Sequence, residues 1–295
     1  MEINELKEKC LFRYRNLNDN TVNEILTGNI WHSRHELLND PFEFSFLFDW
    51  SEYDKASLAK INNHLRLIPN ENLQLLYLGN KIFLDSFEQQ LRDEINRIID
   101  EKISDINEES FVSCFASSVD NPLMWSHYSN GMTGLCIAYN EEKVKESDHF
   151  SHPIAINYVS TPEKIRYTDL SVKEHDFQIE EILFLKPQHA IRPAQVKLSF
   201  ELQIDNYKFL IQKHNRWKYE GEIRNLIIEP KESGKQGISV NIGSGCIDAI
   251  IFGSKISESN LIILELICMK NNIPMFKASP NKNDFSVFIN RHIVK

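Results

Sequence analysis

The stretch NRWKYEGEIRNLIIEP, residues 215–230, sets Glu220 and Glu222 one residue apart at the mouth of an apolar run, with Trp217, Tyr219 and Arg224 beside them. In a strand, residues i and i+2 point the same way, so Glu220, Glu222 and Arg224 are expected on one face and Tyr219 and Ile223 on the other. Two neighbouring carboxylates repel when both are ionised, so one holds its proton to higher pH or a cation comes between them. A pair of that kind suits catalysis. A strand edge guarded by charge against aggregation uses the same residues, and by pattern alone it is the more economical reading.

Three other stretches carry chemistry-bearing side chains. In MWSHY, Met124–Tyr128, the residues Trp125, Ser126, His127 and Tyr128 form either a pocket wall or, at helical spacing, part of the core with His127 as an interior hydrogen-bonded histidine. In HSRHELLNDPFEF, His32, His35, Asp40 and Glu43 raise the question of a metal site. The i, i+3 histidines lack a third ligand at a motif-like spacing and HExxH is absent, so a turn at Asn39-Asp40-Pro41 is preferred and no metal is expected. Lys197, Lys208, Lys213, His214, Arg216 and Lys218 make one locally basic span that ends at the glutamates. It reads as a solvated helix face and polar loop, and it also keeps nucleic acid open as a partner. No GxGxxG or GxxxxGK[ST] loop is present, so a nucleotide would have to be held by another device.

The elements that must position these groups follow from periodicity. CLFRYR alternates, with Leu11, Arg13 and Arg15 on one face and Phe12 and Tyr14 on the other. A short helix is expected after Asn18, stopped at Gly28, then a strand at IWHS. From about residue 51 to 109 the pattern is helical, with Leu84, Phe87, Leu91, Ile95, Ile98 and Ile99 along one face. SFVSCFASS, GLCIAYN and PIAINYVS read as strands, and Asn121-Pro122 opens a helical turn. Residues from about 194 to 213 are expected to be helical. EIRNLII, ISVNI and IDAIIFGS follow as strands, then a helix capped by Ser257 and a terminal strand in IPMFKAS. Strands and helices mix without regular βαβ alternation, which predicts an α+β fold in a single domain, 1–295, with a helical insertion at about 51–109.

Composition narrows the class. The 295 residues are 42% hydrophobic and 25% charged, ordinary for a globular protein. No apolar run reaches membrane-span length, and the polar start MEINELKEKC matches no secretory or transit signal, so a cytoplasmic protein with no membrane partner is expected. The net charge of −9 argues against a protein that coats DNA or RNA. Five cysteines, odd in number and without a CxxC pair, point to buried free thiols.

At LFRYR, at IWHS and LLNDPFEF, at SCFASSVDNPLMWSHYSNGMTGLCIAY, and at WKYEGEIRNL with IDAIIFG, the sequence resembles the DUF2971 family, bacterial proteins often found near phage-defence genes. A second resemblance, in order and residue type, is to ADP-ribosyltransferases of the Arg-Ser-Glu type. It implies a mainly antiparallel sheet core of that type and NAD as substrate. Arg13 or Arg15 would hold the pyrophosphate, and Ser113, Ser117 or Ser126 would supply the serine. Glu222 would accept the ribose 2′-hydroxyl and so favour an oxocarbenium-like sugar, while Glu220 would orient or deprotonate the acceptor. Tyr128, Trp125 or Tyr219 would stack on nicotinamide or adenine, His127 would donate to a ribose hydroxyl, and Ser126 would support Glu222. The implied partners are a macromolecular acceptor, protein or RNA or DNA, and an antitoxin or defence-system component. A metal-dependent nuclease or hydrolase, and a non-enzymatic module sensing a nucleotide or phage protein, stand as alternatives.

Overall fold

The computed structural model describes residues 2–52, 81–147, 153–166, 169–173, 201–204, 207–229 and 235–294. In chain order the strands are β1 (Cys10–Arg15), β2 (Asn29–Ser33), β3 (Phe46–Asp49), β4 (Ser110–Ala116), β5 (Leu135–Asn140) and β6 (Ile154–Ala155). Then come β7 (Asn157–Val159), β8 (Glu163–Arg166), β9 (Leu170–Lys173), β10 (Glu201–Ile204) and β11 (Gln212–His214). β12 (Glu222–Ile228), β13 (Gly237–Asn241), β14 (Ile247–Gly253), β15 (Met275–Pro280) and β16 (Val287–His292) follow. The chain divides into two compact units, one of Met1–Phe44, Glu108–Pro162 and Leu210–Lys295, the other of Ser45–Asn107 and Glu163–Phe209.

The first unit is built on a ten-stranded sheet ordered β13-β2-β4-β1-β5-β14-β15-β16, with β12 also on β4 and β6 on β12. Its pairings are antiparallel except β14 with β15. The central strands are buried on both faces, which is why they read as nearly unbroken apolar runs. Leu11, Leu135, Ile137, Tyr139 and Phe252 pack into one cluster, while Cys10, Phe12, Tyr14, Cys136, Ala138 and Ile251 pack into another. The period-2 pleat sends alternate residues of each strand to alternate sides. A helix over Asp19–Thr27 packs beside β2; Asn18 caps it by accepting from the Thr21 amide at 3.0 Å, and Gly28 ends it in the left-handed region. That helix carries Glu24, which the site uses.

In the second unit β3 pairs with β8 in parallel and β9 with β10 antiparallel. Phe46 and Phe209 bring their rings to 5.9 Å there. A helix spans Lys81–Glu109, and Ile99, Ile103 and Ile106 are buried at i, i+4 and i+7, as an amphipathic helix requires. Residues 53–80, and the side chains of Leu84, Phe87, Leu91 and Ile95 in the helical reading, lie outside those described. Helices and a mixed, mostly antiparallel sheet make the fold α+β. Among the described residues no helix is long and apolar enough to cross a membrane.

Three local expectations change. The helix expected over 194–213 is absent where the chain is described: β10 occupies Glu201–Ile204, a 3-10 turn Lys208–Ile211, and β11 Gln212–His214. Residues 194–200, with Lys197, lie outside the described residues. Lys213 is buried in β11 rather than on a solvated helix face, because its ammonium has carboxylate partners inside the fold. A helix over Ile3–Lys9 precedes β1, and β16 pairs along the outer edge of β15. Both escape the sequence reading because each buries few side chains, Leu6 in the helix and Val287 and Ile289 in the strand.

Candidate active site in the split of the sheet

β4 joins the two halves of the sheet. On one edge it pairs with β12 along its length, Ser110 with Ile228 through Ala116 with Glu222. On the other it meets β1 at Phe12–Ala116 and β2 at Ser33–Val112, each a single register pair. Two strands that touch one neighbour at opposite ends must diverge between those points, and a cavity of about 300 Å³ opens there. Arg13 and Arg15 of β1, Ser113 of β4, Tyr128, Lys213, Glu220 and Glu222 all line it.

The arginine end rests on Glu24. Its carboxylate takes Arg13 Nε at 3.3 Å and Arg15 Nη2 at 3.1 Å, and it accepts the Tyr139 hydroxyl at 2.7 Å. Burial pushes the Glu24 carboxyl up, but Arg13 and Arg15 outweigh it and hold it below its ordinary value. Arg13 is 6% exposed, donates through Nη2 to the Trp31 carbonyl at 3.0 Å, and lies over the Phe115 ring. Its Nη1 and the Nε of Arg15 are buried without a partner. Buried guanidinium donors are costly to leave unmade, and the Arg13 and Arg15 side chains, which line the cavity, are the cations an anion would meet at this end.

At the carboxylate end the pair is held differently from the strand expectation. Glu220 closes a 3-10 turn, Asn215–Glu220, and only Glu222 begins β12. Gly221 between them sits at φ +51°, where a Cβ would meet Ser117 Oγ at 2.4 Å. This left-handed link needs glycine. The two carboxylates nevertheless converge, because Lys213 Nζ lies 2.7 Å from Glu220 Oε2 and 2.9 Å from Glu222 Oε2. Arg224, two residues along β12 and on the same face, gives Nε to Glu222 Oε1 at 2.6 Å and Nη2 to Glu43 Oε1 at 2.7 Å. Tyr128 donates its hydroxyl to Glu220 Oε1 and accepts from Asn39 Nδ2. Glu220 and Glu222 are 5% and 4% exposed, and β6 pairs along the free edge of β12. They are therefore not a charged edge facing water.

The environments drive the two carboxyls apart. Burial raises Glu220 above its ordinary value, and Lys213 only partly opposes it. Burial also raises Glu222, but Arg224 and Lys213 overcome that and hold it down to about 2. Glu43 is raised by burial against the pull of Arg224. One carboxyl held firmly ionised beside a neighbour whose proton affinity burial raises is the division of labour that acid–base chemistry uses.

Ser113 is fixed by a buried histidine. His32 Nδ1 faces the Ile30 carbonyl at 3.1 Å and must donate to it, which leaves Nε2 to accept from Ser113 Oγ at 3.0 Å and Asn225 Nδ2 at 2.9 Å. Burial lowers His32 to about 3, so the ring stays neutral. The Ser113 hydrogen is spent on His32, and its lone pairs are what a ligand would meet.

The remaining predicted residues fall elsewhere. Trp125 belongs to the core: it is fully buried, its indole N–H donates to the Val119 carbonyl at 2.7 Å, and it meets Tyr14 edge-on. A ring so enclosed has no face for a ligand base. Ser126 and His127 are exposed on the helix Pro122–His127 and do not line the cavity. Tyr219 is half-buried, 6.0 Å from the His127 ring and 6.2 Å from Trp217, and also lies off the lining. Ser117 donates its amide to the Gly221 carbonyl at 2.9 Å. Among the described residues no three or more His, Cys, Asp and Glu are arranged to hold a metal ion. His35 stacks on Phe44 at 5.1 Å, and Asp40 accepts from the Phe42 amide at 3.0 Å, as a turn residue does. All five cysteines are free, four buried and Cys114 half-buried.

Sequence reasoning missed Lys213, Asn39 and Glu43 as site groups. Lys213 was hidden in a basic run, and Glu43 and Asn39 reach the glutamates only through folding. The fold and the site define an α+β protein with a charged, ligand-sized cavity at the split of a mostly antiparallel sheet. Residues 124–225 match the model of DUF2971, a family described as protein of unknown function. That stretch takes in Tyr128, Lys213, Glu220, Glu222 and Arg224, while LFRYR and NDPFE lie outside it. No curated protein and no solved structure matches the chain.

Proposed function

We propose that this chain transfers ADP-ribose from NAD to a macromolecular acceptor. One observation carries the reading: Arg13, Ser113 and Glu222, from the adjacent strands β1, β4 and β12, line a single cavity, and they are the residue types, in the order along the chain, that the Arg-Ser-Glu resemblance names. Ala116 of β4 pairs with both Phe12 and Glu222, so Glu222 is on the other side of the pleat from Arg13 and Ser113, and the cavity takes in residues of both sides. NAD is the substrate here. Its pyrophosphate suits the Arg13 and Arg15 side chains that line the cavity, since guanidinium groups match paired oxygens. Glu222 is ionised at neutral pH, and with Arg224, Lys213 and the Cys114 thiol on its oxygens one lone pair is left. That lone pair would accept the ribose 2′-hydroxyl and favour positive charge on the sugar as the nicotinamide bond breaks. Ser113 offers acceptor lone pairs to the same ligand. A toxin or phage-defence role belongs to this reading and rests on the usual neighbourhood of the resembled family alone.

The test is to incubate the protein with labelled NAD and a cell lysate, wild type against Glu222→Gln, with samples split by protease and by nuclease. Label transferred by the wild type and lost in the folded variant supports the reading, and the split names the acceptor class. No label and no NAD consumption by folded wild type overturns it. Activity that ignores NAD and is abolished by EDTA would point instead to a metal-dependent hydrolase.

A further inference from the structure

We infer that Tyr128 and Glu220 work as one proton-carrying pair at the cavity wall, with Tyr128 the group that meets the acceptor and Lys213 the positioning residue behind Glu220. The identity of the acceptor rests on the transferase reading; the pair itself rests on geometry.

Glu43, Glu220 and Glu222 are three buried carboxyls facing two buried cations, Lys213 and Arg224. With all five ionised the cluster holds one uncompensated negative charge, which burial penalises, so it has room for one proton. Glu222 is the least suited to take it, since both its oxygens receive cationic donors. Glu43 is locked to Arg224 and does not line the cavity. Glu220 has Lys213 on one oxygen and only a neutral phenol on the other, and both Glu220 and Tyr128 line the cavity.

Tyr128 Oη gives its hydrogen to Glu220 and accepts from Asn39, which leaves one lone pair. An acceptor hydroxyl or amine in the cavity can give its hydrogen to that lone pair, since Tyr128 lines the cavity. In the transfer step the acceptor's proton passes to Tyr128 Oη as Tyr128's own proton passes to Glu220 Oε1. The freed electron pair forms the bond to ribose C1′, and the bond from C1′ to the nicotinamide nitrogen breaks with its pair leaving on nicotinamide. Asn39 keeps Oη aimed throughout, because an amide N–H donates whichever way the proton lies. Lys213 holds Glu220 against Glu222 through its two short bonds, while the Trp217 ring covers its ammonium at 4.9 Å.

The experiment has an arm without NAD and an arm with it. In the first, the buried carboxylic acid band is titrated by isotope-edited infrared spectroscopy in wild type, Glu220→Gln and Tyr128→Phe. A band that Glu220→Gln removes, and whose midpoint Tyr128→Phe moves upward by about half to one pH unit through loss of a donor to the carboxylate, supports the pair. An unmoved midpoint overturns it. In the second, Tyr128→Phe lowers transfer to the macromolecular acceptor by about 100-fold, while nicotinamide release to water, which relies on Glu222, falls far less. Equal loss of both overturns the role of Tyr128. Wild type that consumes no NAD overturns the transferase reading, and the infrared titration then decides the pair by itself.

Discussion

Arg224 and Glu222 stand two residues apart on one face of β12 and meet side by side, Nε to Oε1 at 2.6 Å, with the guanidinium fully buried. The same guanidinium binds Glu43 and the Leu210 carbonyl at 3.0 Å, so it is the fixed centre of the carboxylate end. Arg224→Met would leave three buried carboxyls, Glu43, Glu220 and Glu222, with Lys213 as the remaining cation of their cluster. We expect a loss of about 3–5 kcal/mol, read from urea unfolding with circular dichroism, and little loss from Arg216→Met on the exposed surface.

The split between Glu222 and Glu220 gives opposite signs to their pH dependence. Glu222 is held down to about 2, below its unfolded value, so its contribution is complete above about pH 4.5 and is lost as pH falls toward 2. Glu220 and Glu43 are raised, so each favours the folded state more on the acid side of its folded value and loses that advantage as pH rises through it. Removing Glu222 should therefore flatten the acid limb of unfolding free energy by up to about 1.4 kcal/mol per pH unit. Urea titrations of wild type and Glu222→Gln from neutral pH downward check this. Parallel acid limbs would contradict it.

Gly221 is the hinge that turns Glu220 toward Glu222. Gly221→Ala places a Cβ at φ +51° and 2.4 Å from Ser117 Oγ. We expect a loss of at least about 1–2 kcal/mol from the left-handed backbone, plus a steric part. Adding Ser117→Ala should recover the steric part and leave the backbone part. A double variant as stable as wild type would show that the conformation costs nothing.

Arg13 and Arg15, the cations lining one end of the cavity, predict anion binding. Pyrophosphate should raise the melting temperature of the wild type in a concentration-dependent way. Arg15→Gln, at a half-exposed position, should fold and bind about tenfold more weakly. Arg13→Lys keeps a cation near Glu24 but removes the planar fork, and it should weaken protection as well. Wild type that gains no stability from pyrophosphate would remove the cavity's claim on a phosphate ligand.

Trp125 separates pocket from core. Trp125→Ala should cost about 3–5 kcal/mol because the ring is fully enclosed. Pyrophosphate protection, measured at a temperature where the variant is folded, should be unchanged.

Most of the strands were legible in the chain. CLFRYR, SFVSCFA, LCIAYN and IDAIIFG are long, apolar or alternating, and bounded by turn residues, so local sequence specifies them. Asn18 with Gly28, Asn121 with Pro122, and Ser257 declare their helix ends for the same reason: each satisfies or spares a backbone group near itself. The pair Glu220 and Glu222 was visible as an oddity, charge at the start of an apolar strand, and so was Arg224 beside it.

What the sequence could not give was the sign and meaning of that charge. Whether two carboxylates guard an edge or fill a cavity depends on β6 and β4 flanking β12, a long-range pairing that no local pattern encodes. Lys213 looked like one solvated lysine among several because burial is decided by where β11 packs, and Asn39 and Glu43 come from far earlier in the chain. Trp125 lies on the helix Pro122–His127, and Tyr128, three residues on, is its C-cap. Only the packing of that helix sends the first into the core and the second to Glu220. Local propensity fixes elements over a few residues, whereas a site is an intersection of strands distant in sequence, and that geometry exists only once the sheet has closed around it.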